Sequence, residues 1–434
     1  METQSVLNRA APRIPSEIAE NVASSKAYSE WTQIHEDLAW LRREMPLGQA
    51  HPEGFDPFWV VTRHADIQEI GRQPQLFLNT RHRKVLINKK TEQALRAPAA
   101  PGAPAPVNSL VSMDAPEHGI FRRLTFGDFA PKGIKGLDEQ IRRIARESVG
   151  EMLSHGSQCN FLDDVALRYP LRVILELLGL PRTDEDRMLR MTQEFFNPQD
   201  PDYSDAKTAA TRAGSAMSYE AVARLGDFFN ALTDDRRANP REDVATIIAN
   251  SKINGEPISH WDAASYYITI TTAGHDTTSS STAGAVWALA ERPDVFAAVK
   301  ADRDLIPGLV DEAIRWTSPI LHFMRTATQD YDLSGQQIRA GDWLMLSFPS
   351  ANRDEAVFDD PFVFRPDRKP NPHLAFGYGA HVCLGQHLAR MEMRIFFEEF
   401  FDRIEALELS GTPRRTISTF VGGVKSLPIR FAAA

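Results

Sequence analysis

Only two cysteines occur in the 434 residues, and one of them stands where a sulfur could do chemistry. Cys383 belongs to Phe376-Gly-Tyr-Gly-Ala-His381-Val-Cys383-Leu-Gly385, a glycine-rich loop feeding a helix that carries Leu388, Ala389 and Arg390. A thiol so placed meets free backbone amides and the positive end of a helix dipole, which favour the thiolate. Gly377, Gly379 and Gly385 present no side chain, so the backbone can approach a flat ligand closely. Three chemistries are open to the sulfur: axial ligation of haem iron, nucleophilic attack with His381 as candidate base, or an inert buried thiol.

A second group is Ala273-Gly274-His275-Asp276-Thr277-Thr278. It falls within a long helix expected to start near Ser259, where Ser259 and Asp262 form a capping-box pattern, and to end near Glu291, ahead of Pro293. Nine of the fourteen residues from Thr269 to Thr282 are Ser or Thr, and Gly274 adds a local weakness. Hydroxyls compete for backbone carbonyls, so an opened turn is expected here. Asp276 and Thr277 would stand beside it as an acid and a hydroxyl, suited to a proton relay; the alternative is a polar face against solvent. Glu312 and Arg315 are three apart and share a helix face, where an exposed pair would contribute only ~0–1 kcal/mol. His118 and Arg122 are four apart on another, with Arg123 beside them. Two cations on one face could clamp carboxylates.

The elements that position these residues read mainly as helices. Leu137, Ile141, Ile144 and Met152 recur at helical spacing. Further helices are expected over Asp163–Leu178 and Pro307–Trp316, and from about Leu384. Strand-like runs are few: Phe58–Thr62, Trp343–Phe348 and Leu427–Phe431. The expected fold class is mainly α with small β-sheets, in one large domain rather than an alternating βαβ enzyme. Ala97–Val107, with four prolines in eleven residues, reads as a surface loop. The basic run Arg81–Lys90 reads as a solvated face. Hydrophobic residues make up 42% and charged residues 25%, enough for a large core. A net charge of −9 argues against a nucleic-acid binder. No apolar run is long enough to span a membrane, no secretory signal is evident, and two cysteines give no disulfide framework. A cytoplasmic location fits.

The Cys383 loop resembles the cysteine-loop signature of the cytochrome P-450 monooxygenases at Phe376, Gly377, Gly379, His381, Cys383 and Gly385. Other motifs of that family run from about Asp114 to Arg390. TAGHDTTSSS, LIPGLVDEAIRWTSP, SANRDEAVF and GAHVCLGQHLA are most similar to its soluble bacterial, terpineol-hydroxylating members. The resemblance implies one haem-thiolate domain over residues 1–434, with a long central helix over haem b and Cys383 as the iron ligand. It implies proton delivery by Asp276 and Thr277, a propionate clamp of His118, Arg122, Arg325 and His381, and a cofactor wall including Ala273, Phe376, Gly377 and Gly385. It assigns Glu312 and Arg315, joined by Arg368, to a buried structural cluster. Leu110, Thr269, Thr272, Leu321, Phe323, Phe420 and Val421 are expected to touch substrate. The implied reaction is hydroxylation of a small hydrophobic molecule, a monoterpenoid or alkyl-aromatic hydrocarbon, with O2. No GxGxxG motif follows a strand, so electrons from NAD(P)H must come through separate proteins, an iron–sulfur ferredoxin and its reductase. The ferredoxin is expected to dock near Arg123, Arg390 and Arg394. A peroxide-driven oxygenase and a haem sensor or carrier are the alternatives. Specificity is expected to vary most over Arg81–Pro106 and Phe195–Phe229.

Overall fold

A Ser/Thr-rich helix would be marginal in water, and here it is built into the centre of the protein. The computed structural model describes residues 11–79, 84–96, 107–196, 200 and 219–434. The proline-rich residues 97–106, the basic residues 81–83 and most of 197–218 lie outside the described residues. The helices used below are α1 (Thr32–Glu44), α2 (His64–Gly71), α3 (Glu117–Arg123), α4 (Asp138–Ser154), α5 (Arg168–Leu177), α6 (Glu185–Phe196), α7 (Tyr219–Ala238), α8 (His260–Glu291), α9 (Ile306–Thr317) and α10 (Gln386–Arg403).

Helix α8 begins as its sequence dictates. Ser259 Oγ accepts from the Asp262 amide at 3.0 Å and lies 2.7 Å from Asp262 Oδ2. Neighbours α5, α6, α7 and α9 pack around it. Its hydroxyl-rich middle is therefore buried and does not face solvent. The expected open turn is absent, because α8 runs as one element. Its hydroxyls donate to the carbonyls one turn back: Thr269 to Ser265 O (2.8 Å), Thr272 to Ile268 O (2.7 Å), Thr277 to Ala273 O (2.7 Å) and Ser281 to Thr277 O (2.9 Å). Such bonds satisfy the hydroxyls within the helix itself. The helix expected over Asp163–Leu178 instead starts with a wide turn, Leu162–Ala166, before α5. The Leu167 amide reaches back five residues to Leu162 O at 2.9 Å.

A five-stranded sheet flanks the helices. Its strands are β1 (Leu47–Ala50), β2 (Phe58–Val61), β3 (Phe77–Leu78), β5 (His322–Ala327) and β6 (Trp343–Ser347), in the order β1-β2-β6-β5-β3. Only β2 and β6 run parallel, and Leu344 sits opposite Arg325. A smaller sheet joins β7 (Ile404–Leu409), β8 (Pro428–Ala433) and β4 (Gln158–Asn160). Helix α10 packs on α4 and α9 and buries Phe396, Phe397, Phe400 and Phe401. The basic run is not simply a solvated face, since Val85, Leu86 and Ile87 are buried and the Leu86 amide bonds His322 Nε2 at 2.9 Å.

Glu312, Arg315 and Arg368 come together in the interior. Glu312 accepts two bonds from Arg315 (2.8 and 2.7 Å) and one from Arg368 Nε at 3.1 Å. The Arg365 amide and Asn371 Nδ2 complete its shell at 2.9 and 3.2 Å. Arg315 also donates to the carbonyls of Asn352 and Pro361, and Arg368 to those of Asp359, Asp360 and Val363. A buried charge group with all its partners supplied pins the irregular segment before the Cys383 loop to α9.

Candidate active site

The loop that presents the sulfur depends on glycine. Gly377 and Gly379 both adopt φ of 74°, a region that side chains disfavour. A Cβ on Gly379 would also collide with the carbonyl of Gly71, at the end of α2. The Gly377 amide donates to Leu374 O and the Cys383 amide to Phe376 O, each at 2.8 Å. Helix α10 begins directly after Gly385. The expected depression of the thiol's pKa does not result. Burial is the largest effect and pushes the Cys383 thiol above its usual value, while the Gly385 amide, Arg122, Arg390 and the Gln386 amide pull it down. A group that holds this sulfur as a thiolate must bring positive charge of its own, as a coordinated metal does. The other thiol, Cys159, is pushed up to about 12 by burial and by Asp164, which suits an inert residue.

A cluster of two arginines and two histidines stands beside the loop. The rings of His118 and His381 lie 4.0 Å apart. His381 Nε2 is 3.0 Å from Asn79 Nδ2, and Asn79 is held by Asp114 at 2.9 Å. Burial, then Arg325 and His118, push His381 down to about 3. Burial pushes Arg325 down to about 10. Burial also lowers His118 and Arg122. All four line one cavity. A buried group of donors offset mainly by Asp114 is suited to an anionic ligand. Arg123 is exposed and does not line the cavity, which decides between it and Arg122.

The cavity lies between this cluster, the Cys383 loop and α8. Its space, open mouth and adjoining solvent included, is about 1650 Å³. Cys383, Phe376, Gly377 and Gly385 form one wall. Thr269, Ala273, Gly274 and Thr277 of α8 form another, with Leu110 and Phe323. Gly274 lets α8 approach α5, since a Cβ there would come within 2.8 Å of Ile174 Cδ1.

Several expected residues are elsewhere. Thr272 points away from the cavity and is buried. Leu321 is packed in a core with Met324 and Trp343, and its neighbour Ile320 lines the cavity instead. Phe420 stacks edge-on against Phe323 at 5.6 Å, one layer behind the wall. Val421 borders a second, small cavity. Asp276 faces that second cavity too, so the acid and Thr277 are on different sides of α8. Asp276 Oδ1 accepts from Gln193 Nε2 at 2.6 Å, Oδ2 is buried with no partner among the described residues, and burial raises its pKa. The carboxyl that does line the main cavity is Glu392 of α10, which sequence reasoning missed. It lies against the Thr278 hydroxyl, and burial holds its pKa well above the usual range. Ile174, Ile270 and Ile314 were also missed. For α8, a helical projection could have found part of the face: 270, 273, 274, 277 and 281 fall within about 100° of arc and 272 lies opposite, but 276 projects within about 20° of 269, so projection alone does not separate those two.

Comparison with known proteins agrees with this geometry. The family model described as Cytochrome P450 matches residues 186–431. Cytochrome P450-terp of a Pseudomonas species is 47% identical over 97% of this chain and 99% of its own length. Linalool 8-monooxygenase of Pseudomonas putida is 32% identical over 91% of this chain and 95% of its own. The crystal structure of CYP108D1 from Novosphingobium aromaticivorans superposes with a TM-score of 0.88, at 45% identity, covering 98% of this chain and all of that one. With a cavity-lining cysteine on a glycine loop, and relatives matched along nearly the whole length, the chain belongs to the cytochrome P450 family of haem-thiolate monooxygenases.

Proposed function

We propose that the protein hydroxylates a compact hydrophobic molecule, of monoterpenoid or alkyl-aromatic size, in the cytoplasm. It uses O2 and two electrons delivered singly from NAD(P)H by an iron–sulfur ferredoxin and its reductase. The observation that carries this reading is one cavity with a thiol wall, a cluster of two arginines and two histidines, and an otherwise largely apolar lining. The residues fit haem b: Cys383 would ligate the iron, and His118, Arg122, Arg325 and His381 would meet the two propionates. When bound, haem supplies the metal at which dioxygen is activated. The chain supplies the rest. Apolar side chains such as Ile174, Ile270, Ile314 and Phe323 exclude water and receive the guest. Thr277 fixes its hydroxyl through Ala273 O and turns its lone pairs to the cavity. Asp276, whose pKa burial raises, would pass protons from the far side of α8 by turning past Gln193 to serve Thr277. The relatives named for terpene chemistry support the substrate size.

The test has two parts. Reduced protein with carbon monoxide should show the strongly red-shifted Soret band of a thiolate-ligated haem, and Cys383→Ser should abolish it. Turnover of a monoterpene should need ferredoxin and reductase. Turnover with peroxide but none with the redox chain would favour a peroxide-driven enzyme instead.

A further inference from the structure

Three of the four α8 hydroxyls that line the cavity share a property that the lining composition hides; the fourth, Thr278, is engaged with Glu392. Thr269, Thr277 and Ser281 all line the cavity, and each has its single proton committed to a carbonyl one turn back: Ser265 O, Ala273 O and Thr277 O, at 2.7–2.9 Å. A hydroxyl has one proton and two lone pairs, so these groups offer the cavity acceptors and no donor. The arginine and imidazole N–H donors that line the cavity among the described residues, on His118, Arg122, Arg325 and His381, gather in the cluster already described. The walls facing α8, with Leu110, Ile174, Ile320 and Phe323, are apolar.

We infer that Thr269 is a specificity-determining acceptor, and that the preferred substrate is a hydrophobic alcohol that donates its hydroxyl proton to Thr269 Oγ1. This rests on the reading of the cavity as the site of a compact hydrophobic guest and names the functional group that guest carries. Thr269 is placed for the task in a way Thr277 is not. It lies two helical turns, about 12 Å, along α8 from Thr277, and one turn, about 6 Å, from Ala273. A guest held there by its hydroxyl leaves its far end, and not the carbon bearing oxygen, for the Ala273–Thr277 stretch. A ketone or an ether has no proton to give. To bond Thr269 it must take the proton from Ser265 O, so the exchange gains little. A site built to receive a donor discriminates against analogues without one.

The experiment uses haem-loaded protein and three guests of one shape: 4-isopropylcyclohexanol, 4-isopropylcyclohexanone and p-menthane. Dissociation constants come from the haem spin-state shift and, independently, from calorimetry. The wild type should prefer the alcohol over the ketone by roughly two- to tenfold, about what one neutral hydrogen bond supplies. Thr269→Val should erase that preference while p-menthane binds as before, and Thr269→Ser should keep it. Thr272→Val is the control. Its hydroxyl makes the same kind of backbone bond, to Ile268 O, but does not line the cavity, so the preference should persist. Equal binding of alcohol and ketone to the wild type, or a preference that survives Thr269→Val, overturns the assignment of Thr269 alone. If none of the three guests binds by either method, the compact hydrophobic substrate is wrong and the alcohol assignment falls with it.

Discussion

Two buried carboxyls flank the Thr277–Thr278 turn of α8, and both have raised pKa values because burial outweighs the hydrogen bonds beside them. Glu392 is the more strongly shifted, and this has a measurable consequence. The unfolded chain releases the Glu392 proton near the ordinary value of 4.5, whereas the folded protein keeps it well above that. Folding therefore takes up a proton, and stability falls as pH rises above about 4.5, by at most about 1.4 kcal/mol per pH unit from this group. Glu392→Gln cannot ionise and removes the penalty. The urea midpoint of that variant should exceed that of the wild type, and the excess should be larger at pH 8 than at pH 5. An excess independent of pH would mean that Glu392 ionises in the fold as it does in water.

Elements place the chemistry by close approach. Helix α8 lies near α5 because Gly274 has no side chain to meet Ile174, and the Cys383 loop rests on α2 because Gly379 has none to meet the Gly71 carbonyl. A carbonyl fixed at a helix end cannot yield as the tip of a flexible side chain can. The positive φ at Gly379 adds strain of order 1–3 kcal/mol for any other residue. Gly379→Ala should therefore lower haem retention and the intensity of the thiolate-type carbon monoxide band. Gly136→Ala, at an exposed position outside the cavity lining, should leave both nearly unchanged. Equal loss in the two variants would show that the contact with the Gly71 carbonyl does not matter.

For the whole molecule, charge acts in two different ways. Inside, Glu312 neutralises Arg315 and Arg368, and Glu312→Gln should cost about 3–5 kcal/mol in urea unfolding by leaving two buried guanidiniums unpaired. The exposed i,i+4 pair Lys26–Glu30 serves as control, and Glu30→Gln should change little. Outside, the three expected docking cations are not equivalent. Arg390 is bound to Asp311 at 2.8 Å and lies 4.5 Å over the Phe376 ring, and Arg394 is paired with Glu398 and Asp138. Their first role is internal. Arg123 is exposed. Arg123→Glu should slow reduction by an acidic ferredoxin, more so at low ionic strength. Unchanged rates would move the docking face elsewhere. Arg390→Glu should disturb the carbon monoxide spectrum itself.

Local rules made much of this protein legible from its residues alone. Capping at Ser259, the glycine–cysteine loop, the face shared by His118 and Arg122, and the Glu312–Arg315 spacing each depend on neighbours within a few positions, and each stands in the structure where expected. Other features depend on what distant segments bring. The burial that raises the Cys383 thiol comes from walls hundreds of residues away in sequence. Asp276 turns from Thr277 because Gln193 of α6 offers it a donor on the other side of α8. Glu392 enters the cavity because α10 lies against the Thr278 face of that helix. Leu321, Phe420 and Val421 are withdrawn because their side chains pack into other layers. Spacing along the chain sets which groups can share a face, and only the packing of that face decides what it meets, how dry it is and which proton it keeps.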